Sequence, residues 1–158
     1  FVYGIILTWA VVALGVVFAY YLLEINGNSI DYLTKLRSRR KIEEIIRGLI
    51  EKNQGFIAIM IDLEYFKSIN DKYGHKTGDE VLVHFSKVLN KAFGKQNYIS
   101  RVGGDEFMIV LKNDTMESIP QYKEKIKAEL QQYEDLDFLS EIDFSFGFKF
   151  FPSNAIED

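Results

Sequence analysis

The sequence contains no cysteine, which excludes disulfides, thiolate metal sites and cysteine nucleophiles. It also lacks a basic excess: 19 Lys and Arg stand against 23 Asp and Glu, a formal net charge of −4. Nucleic-acid binders normally carry a basic face, so no nucleic-acid partner is expected. Free nucleotides remain open, because metal ions can neutralise their phosphates. Internal repeats and low-complexity tracts are absent, which points to one cytoplasmic domain and not an array. Finally, residues 1–23 lack charge altogether, the sharpest unevenness in a chain of 158 residues that is 47% hydrophobic.

That uncharged run, FVYGIILTWAVVALGVVFAYYLL, is long enough to cross a bilayer, which takes ~20 apolar residues. It has no polar face of the kind a soluble core helix keeps, and neither a basic n-region nor a small-residue cleavage site of a signal peptide. Residues 1–23 are therefore read as a transmembrane helix, with Tyr20 and Tyr21 at an interface, and residues 24–30 as a linker. Lys35, Arg37, Arg39, Arg40 and Lys41 follow closely, and the positive-inside tendency puts what comes after the span in the cytoplasm. The first residue is Phe, so the chain is expected to be a fragment.

Beyond the linker the hydrophobic pattern changes period. Ile42, Ile45, Ile46, Leu49 and Ile50 recur at helical spacing over residues 39–52, and FIAIMI (56–61) reads as a strand covered on both faces and closed by Asp62. TGDE (77–80) has the form of a capping box before a long helix bearing Val81, Leu82, Phe85, Val88, Leu89 and Phe93. YISRV (98–102) and EFMIVL (106–111), separated by Gly103, Gly104 and Asp105, predict a tight hairpin; residues 120–133 read as a helix and 142–151 as a final strand. The order helix, strand, helix, hairpin, helix, strand predicts an α/β fold with helices flanking a mixed central sheet.

Two acids stand at the ends of predicted strands, Asp62 after the buried run and Asp105 in the glycine turn. Magnesium prefers hard oxygen ligands and is usually held by one or two carboxylates plus substrate phosphates, and glycines allow positive backbone angles and close approach of a polyphosphate. A plain Gly-Gly hairpin with polar turn residues accounts for the same residues equally well.

The motifs taken together decide between these readings. Residues 103–107 spell GGDEF; residues 62–79, DLEYFKSINDKYGHKTGD, follow the pattern D-x-D-x-F-K-x-I-N-D-x-x-G-H-x-x-G-D; and residues 31–40, DYLTKLRSRR, echo D-x-L-T-G-L-x-N-R-R. In these three stretches, spanning roughly residues 31–151, the chain resembles the GGDEF domain of bacterial diguanylate cyclases. The resemblance implies a nucleotidyl-cyclase-like GGDEF fold over residues 31–158 that condenses two GTP into cyclic di-GMP and pyrophosphate, working as a homodimer at the cytoplasmic membrane. It also implies that the family's final helix, with its phosphate-gripping Lys and Arg, lies beyond Asp158.

Residue by residue, the resemblance makes Asp62, the Leu63 carbonyl and Asp105 ligands of two Mg²⁺ ions, with Mn²⁺ as a substitute and Glu106 as a further contact. Asp105 is also the base for the 3′-hydroxyl, and Lys67 stabilises phosphate charge. Tyr65 and Phe66 offer backbone amides to phosphate, Gly103 and Gly104 admit the substrate, and Asn70 and Asp79 read guanine while His75 shapes the pocket. The plainer reading of Lys67 is a solvated lysine, and of Asp79 an acid that stabilises the first helical turn; His84 reads as a surface or packing residue.

Three departures stand out. Glu64 replaces the second Asp of D-x-D, Lys35 and Ser38 replace Gly and Asn in the opening motif, and GKQN (94–97) stands where many members carry an inhibitory R-x-x-D, so little product inhibition is expected there. The alternative reading is a catalytically weak GGDEF domain serving as a GTP-binding sensor or scaffold.

Overall fold

The computed structural model describes residues 12–18, 29–112, 115–133 and 142–153. In chain order the elements are β1 (Arg37–Ser38), α1 (Arg39–Glu51), β2 (Phe56–Glu64), α2 (Phe66–Tyr73), α3 (His75–Phe93), β3 (Tyr98–Arg101), β4 (Glu106–Leu111), a 3-10 turn (Met116–Ser118), α4 (Ile119–Gln131) and β5 (Asp143–Phe151).

β2 is the centre of the sheet because it is apolar on both faces. Ile57, Ile59, Ile61 and Leu63 point one way and are buried; Phe56 and Ala58 point the other way. It pairs antiparallel with β4 on one side and β5 on the other, β3 joins β4 as the predicted hairpin, and β1 adds in parallel to β3, giving the order β1-β3-β4-β2-β5.

Helices cover the two faces unequally. Ile42 and Leu49 of α1 pack on Phe56 and Val110, while α3 and α4 bring Val81, Leu82, Phe85, Val88, Leu89, Phe93, Tyr122 and Ile126 onto the odd-numbered side of β2. Phe85 tilts against Phe107 at 5.2 Å and Phe93 stacks on Tyr122 at 4.6 Å between ring centroids. Each such side chain taken fully from water contributes ~1.5–3 kcal/mol, so this larger cluster dominates the fold. It fixes the height of β2 and β4, whose ends form the candidate site.

Several expectations need correction. β2 does not stop at Asp62 but continues to Glu64, because β5 pairs with it to the end. The TGDE stretch is not a capping box: α3 already begins at His75 behind Gly74, and Thr77 lies inside the helix, its hydroxyl donating to the Tyr73 carbonyl at 3.0 Å. Asp79 is thus in the second turn, not the first. Two helices, the short α2 and the longer α3, separate β2 from the hairpin. The expected transmembrane helix and linker fall mainly outside the described residues, where only 12–18 and 29–30 are seen, the former helical and exposed. Among the described residues no helix is long and apolar enough to cross a membrane.

Candidate functional site

The pairing of β2 with β4 ends where Asp62 faces Glu106 across the ladder. One step further the backbone N–H of Leu63 donates to the carbonyl oxygen of Asp105 at 3.2 Å, which carries the glycine turn back over the end of β2. Residues far apart in sequence are brought together by this one extension of the ladder. The consequence is electrostatic: burial, together with the charges of Asp105 and Glu106, raises the Asp62 carboxyl above its ordinary range. A divalent cation held among these oxygens relieves that repulsion. Among the described residues no group of three or more His, Cys, Asp or Glu is arranged to hold a metal alone. The donor set therefore fits an ion that takes its remaining ligands from substrate phosphates and water, as Mg²⁺ commonly does.

Neither Gly103 nor Gly104 has a positive φ, so backbone freedom is not what the turn takes from them. Small size is. A Cβ on Gly103 would run into the Glu106 carboxylate, whereas one on Gly104 would meet nothing within 4 Å. Gly103 makes room for the acid, and Gly104 leaves the turn open to a bulky ligand.

The positive φ lies instead at Tyr65, with φ 59° and ψ 14°, which swings the chain from β2 into α2 without a spacer. Its carbonyl accepts the first helical bond, from Ile69 N–H at 3.1 Å, and no side chain caps the amides that follow. Uncapped amides at a helix start favour an anion. Tyr65 is 71% exposed, Lys67 is exposed beside it, and Phe66 is half-buried against the core. The Phe66 ring is thus a packing group, and only its amide remains for a ligand.

α2 and α3 meet at Gly74, which ends one helix and starts the next with φ 86°. Their close approach sets Asn70 against Gly78, where a Cβ would overlap the Asn70 amide oxygen. Asn70 is thereby held next to the residue preceding Asp79, and both Asp79 and His75 are exposed at this end of α3. Asn70 and Asp79 thus lie at neighbouring positions where α2 meets α3. Asn97, in the GKQN loop, is different: it is buried, and its side-chain N–H donates to the Phe93 carbonyl at 2.8 Å, so it closes α3 and does not face outward.

Sequence reasoning missed Arg101. Its Nε–H and Nη2–H both donate to the Gly104 carbonyl, at 3.1 and 2.8 Å, and Nη1–H reaches the Asp31 carboxylate at 3.3 Å. Asp31 also accepts from the Thr34 backbone N–H at 2.8 Å and hydroxyl at 2.7 Å. Burial alone would raise the Asp31 carboxyl, but the Thr34 hydrogen bonds and the guanidinium hold it below its ordinary range. The signal available in sequence was an arginine two residues before a glycine pair and an acid-to-threonine spacing of three in residues 31–34.

Comparisons with known proteins bear on the family and the fold. The family model described as "Diguanylate cyclase, GGDEF domain" matches residues 28–156. The probable diguanylate cyclase DgcF of Escherichia coli is 37% identical over 82 residues, covering 51% of this chain and 26% of that protein. A diguanylate cyclase of Vibrio cholerae is 36% identical over 107 residues, covering 65% and 33%. The chain thus spans about a quarter to a third of these relatives. Among solved structures, the coiled-coil and GGDEF region of DgcB from Caulobacter crescentus, in complex with c-di-GMP, superposes with a TM-score of 0.70 at 20% identity, covering 93% of this chain and 82% of that one.

Proposed function

The chain belongs to the GGDEF family, and from that premise we propose that it condenses two GTP molecules into cyclic di-GMP with release of two pyrophosphates. The observation that carries this reading is the meeting of Asp62 with Asp105 at the end of β2, with the uncapped amides of α2 beside them. In each of two equivalent steps the 3′-oxygen of one GTP bonds to the α-phosphorus of the other, the bond to the pyrophosphate oxygen breaks, and Asp105 accepts the hydroxyl proton. Asp62, the Leu63 carbonyl and Asp105 would hold Mg²⁺, with Glu106 nearby, and the ion would supply charge neutralisation at the phosphates. Lys67 and the amides of Tyr65 and Phe66 bind the phosphate chain; Asn70 and Asp79 take the guanine edge, with His75 at the rim.

One site holds one GTP, so the reaction needs two copies facing each other, and the active species is a homodimer. The uncharged residues 1–23 and the basic cluster from Lys35 to Lys41 support a membrane-anchored protein with this domain on the cytoplasmic side, where GTP is available. The test is to incubate the full-length protein with GTP and Mg²⁺ and resolve products by chromatography. Cyclic di-GMP from wild type and none from Asp105→Asn is expected. Turnover by Asp105→Asn equal to wild type would sink the mechanism, and GTP binding without product would favour the sensor reading.

A further inference from the structure

The opening stretch of the domain, residues 31–38, contacts no substrate in the reading above, yet its acid is tied to the catalytic turn. We propose that Arg101 is a positioning residue for Asp105, and that the Asp31–Thr34 turn sets Arg101, so that the opening segment governs the geometry of the catalytic acid. The inference rests on the diguanylate cyclase reading for what Asp105 does, but not for how it is held.

Two of the three guanidinium nitrogens converge on one acceptor, the Gly104 carbonyl, whose carbon is bonded directly to the Asp105 amide nitrogen. The peptide unit is planar, so fixing that oxygen fixes the plane from which Asp105 departs. Within the turn the Val102 and Gly103 N–H groups donate to the Glu106 carbonyl at 2.9 and 3.3 Å, but neither bond holds the Gly104 carbonyl. On the other side the Leu63 N–H holds the Asp105 carbonyl. Asp105 is therefore gripped at both of its flanking peptide planes, once by β2 and once by Arg101.

The third nitrogen explains the opening motif. Arg101 and Asp31 expose only 13% and 17% of their side chains, so their attraction is weakly screened. Asp31 cannot turn freely to meet the arginine, because Thr34 holds the same carboxylate oxygen through two hydrogen bonds and the Asp31 N–H donates to the Leu36 carbonyl at 2.8 Å. Leu36 is buried in the main core and β1 is zipped to β3 just beyond it, the Ser100 hydroxyl donating to the Arg37 carbonyl at 2.9 Å. Rigid core, opening turn, guanidinium and catalytic turn thus form one connected series. Lysine in place of Arg101 would offer a single point of attachment where three directed bonds are needed.

The experiment uses the full-length protein and the variants Asp31→Asn and Arg101→Lys. Asp31→Asn keeps an acceptor for Thr34 but removes the charge that orients Arg101. The expected result is a fall in kcat of ~10-fold for Asp31→Asn and ~100-fold for Arg101→Lys, with KM for GTP within about twofold of wild type, since misplacement by about 1 Å costs that order of rate. Mn²⁺ binding in the presence of GTP, followed by electron paramagnetic resonance, is expected to weaken in the same order. A wild-type kcat in both variants would overturn the proposal. So would a loss of rate that merely tracks the unfolded fraction in thermal melts, with unchanged Mn²⁺ affinity of the folded part. If wild type makes no cyclic di-GMP, the function reading falls, and the Mn²⁺ titration alone still decides whether Arg101 and Asp31 set the turn.

Discussion

Asp62 and Glu106 sit directly opposite each other on paired strands, two acids where cross-strand neighbours of opposite charge would be more stable. With Asp105 adjacent, three acids crowd the end of the sheet at the place where its chemistry is expected.

A first prediction follows from that repulsion. Because the Asp62 carboxyl is raised, the folded chain holds a proton that the unfolded chain has released, and stability is lost as pH rises from the ordinary 3.8 through the higher folded value. Metal-free Asp62→Asn should melt at a higher temperature than wild type at neutral pH while losing turnover, and Mg²⁺ with GTP should stabilise wild type more than the variant. Melting curves between pH 4 and 8 give the answer; a less stable Asp62→Asn at neutral pH would contradict the assigned repulsion.

The contact between Asn70 and Gly78 supplies a second. Gly78→Ala places a methyl group on the Asn70 amide and should cost about 1–3 kcal/mol through overpacking. It should also reduce the preference for GTP over ATP, because Asn70 must turn away. Adding Asn70→Ala should restore stability but not base choice. Calorimetric titration of both nucleotides into the three variants tests this, and an intact preference in Gly78→Ala would show that Asn70 does not read the base.

Lys35 takes a left-handed conformation, φ 60°, at the position where the family's opening motif has glycine. Its ammonium donates to the Tyr32 carbonyl at 2.6 Å, an exposed bond that only partly offsets the strain. Lys35→Gly should stabilise the domain by about 0.5–1 kcal/mol, measured by urea denaturation. Lys35→Ala, which keeps the strain and loses the bond, should not stabilise it.

His84 offers a pH test away from the site. Burial beside the Lys87 charge lowers its imidazole below 6.5 despite Glu80, its Nδ1 is buried without a partner, and its ring meets Tyr133 edge-on at 5.3 Å. The folded state resists a proton that the unfolded chain accepts, so stability present above pH 6.5 is lost as pH falls from there through the lower folded value. His84→Phe should flatten this part of the pH profile in denaturant titrations; an unchanged slope would mean that other groups set it.

The fold was legible wherever one period dominated. FIAIMI, the hairpin around Gly103 and Gly104, and the helical stripe from Val81 to Phe93 were all recovered as elements. Boundaries failed where tertiary pairing overrode local signals: β5 lengthened β2 to Glu64, and Gly74 started α3 before Thr77. At the site, Asp62 and Asp105 could be chosen from sequence, but their mutual approach depends on a backbone bond from Leu63. Arg101 was missed because its bond to Asp31 is made by topology across 70 positions, and only its short spacing to Gly104 was present in the sequence.

The bond between Arg101 and Asp31 also has a meaning in time. It joins positions 70 apart in the chain, whereas Arg101 and Gly104 are three apart and share a local hairpin. Closing the longer loop carries the greater entropy cost, growing roughly with the logarithm of its length. The hairpin can therefore assemble early, as a local contact, while the strand-parallel addition of β1 and the Asp31 bond come after the intervening helices and β2 have packed. On this order the Gly103–Asp105 turn reaches its final shape only when folding is nearly complete, so a partly folded chain displays the β3–β4 hairpin before it can offer a formed candidate site.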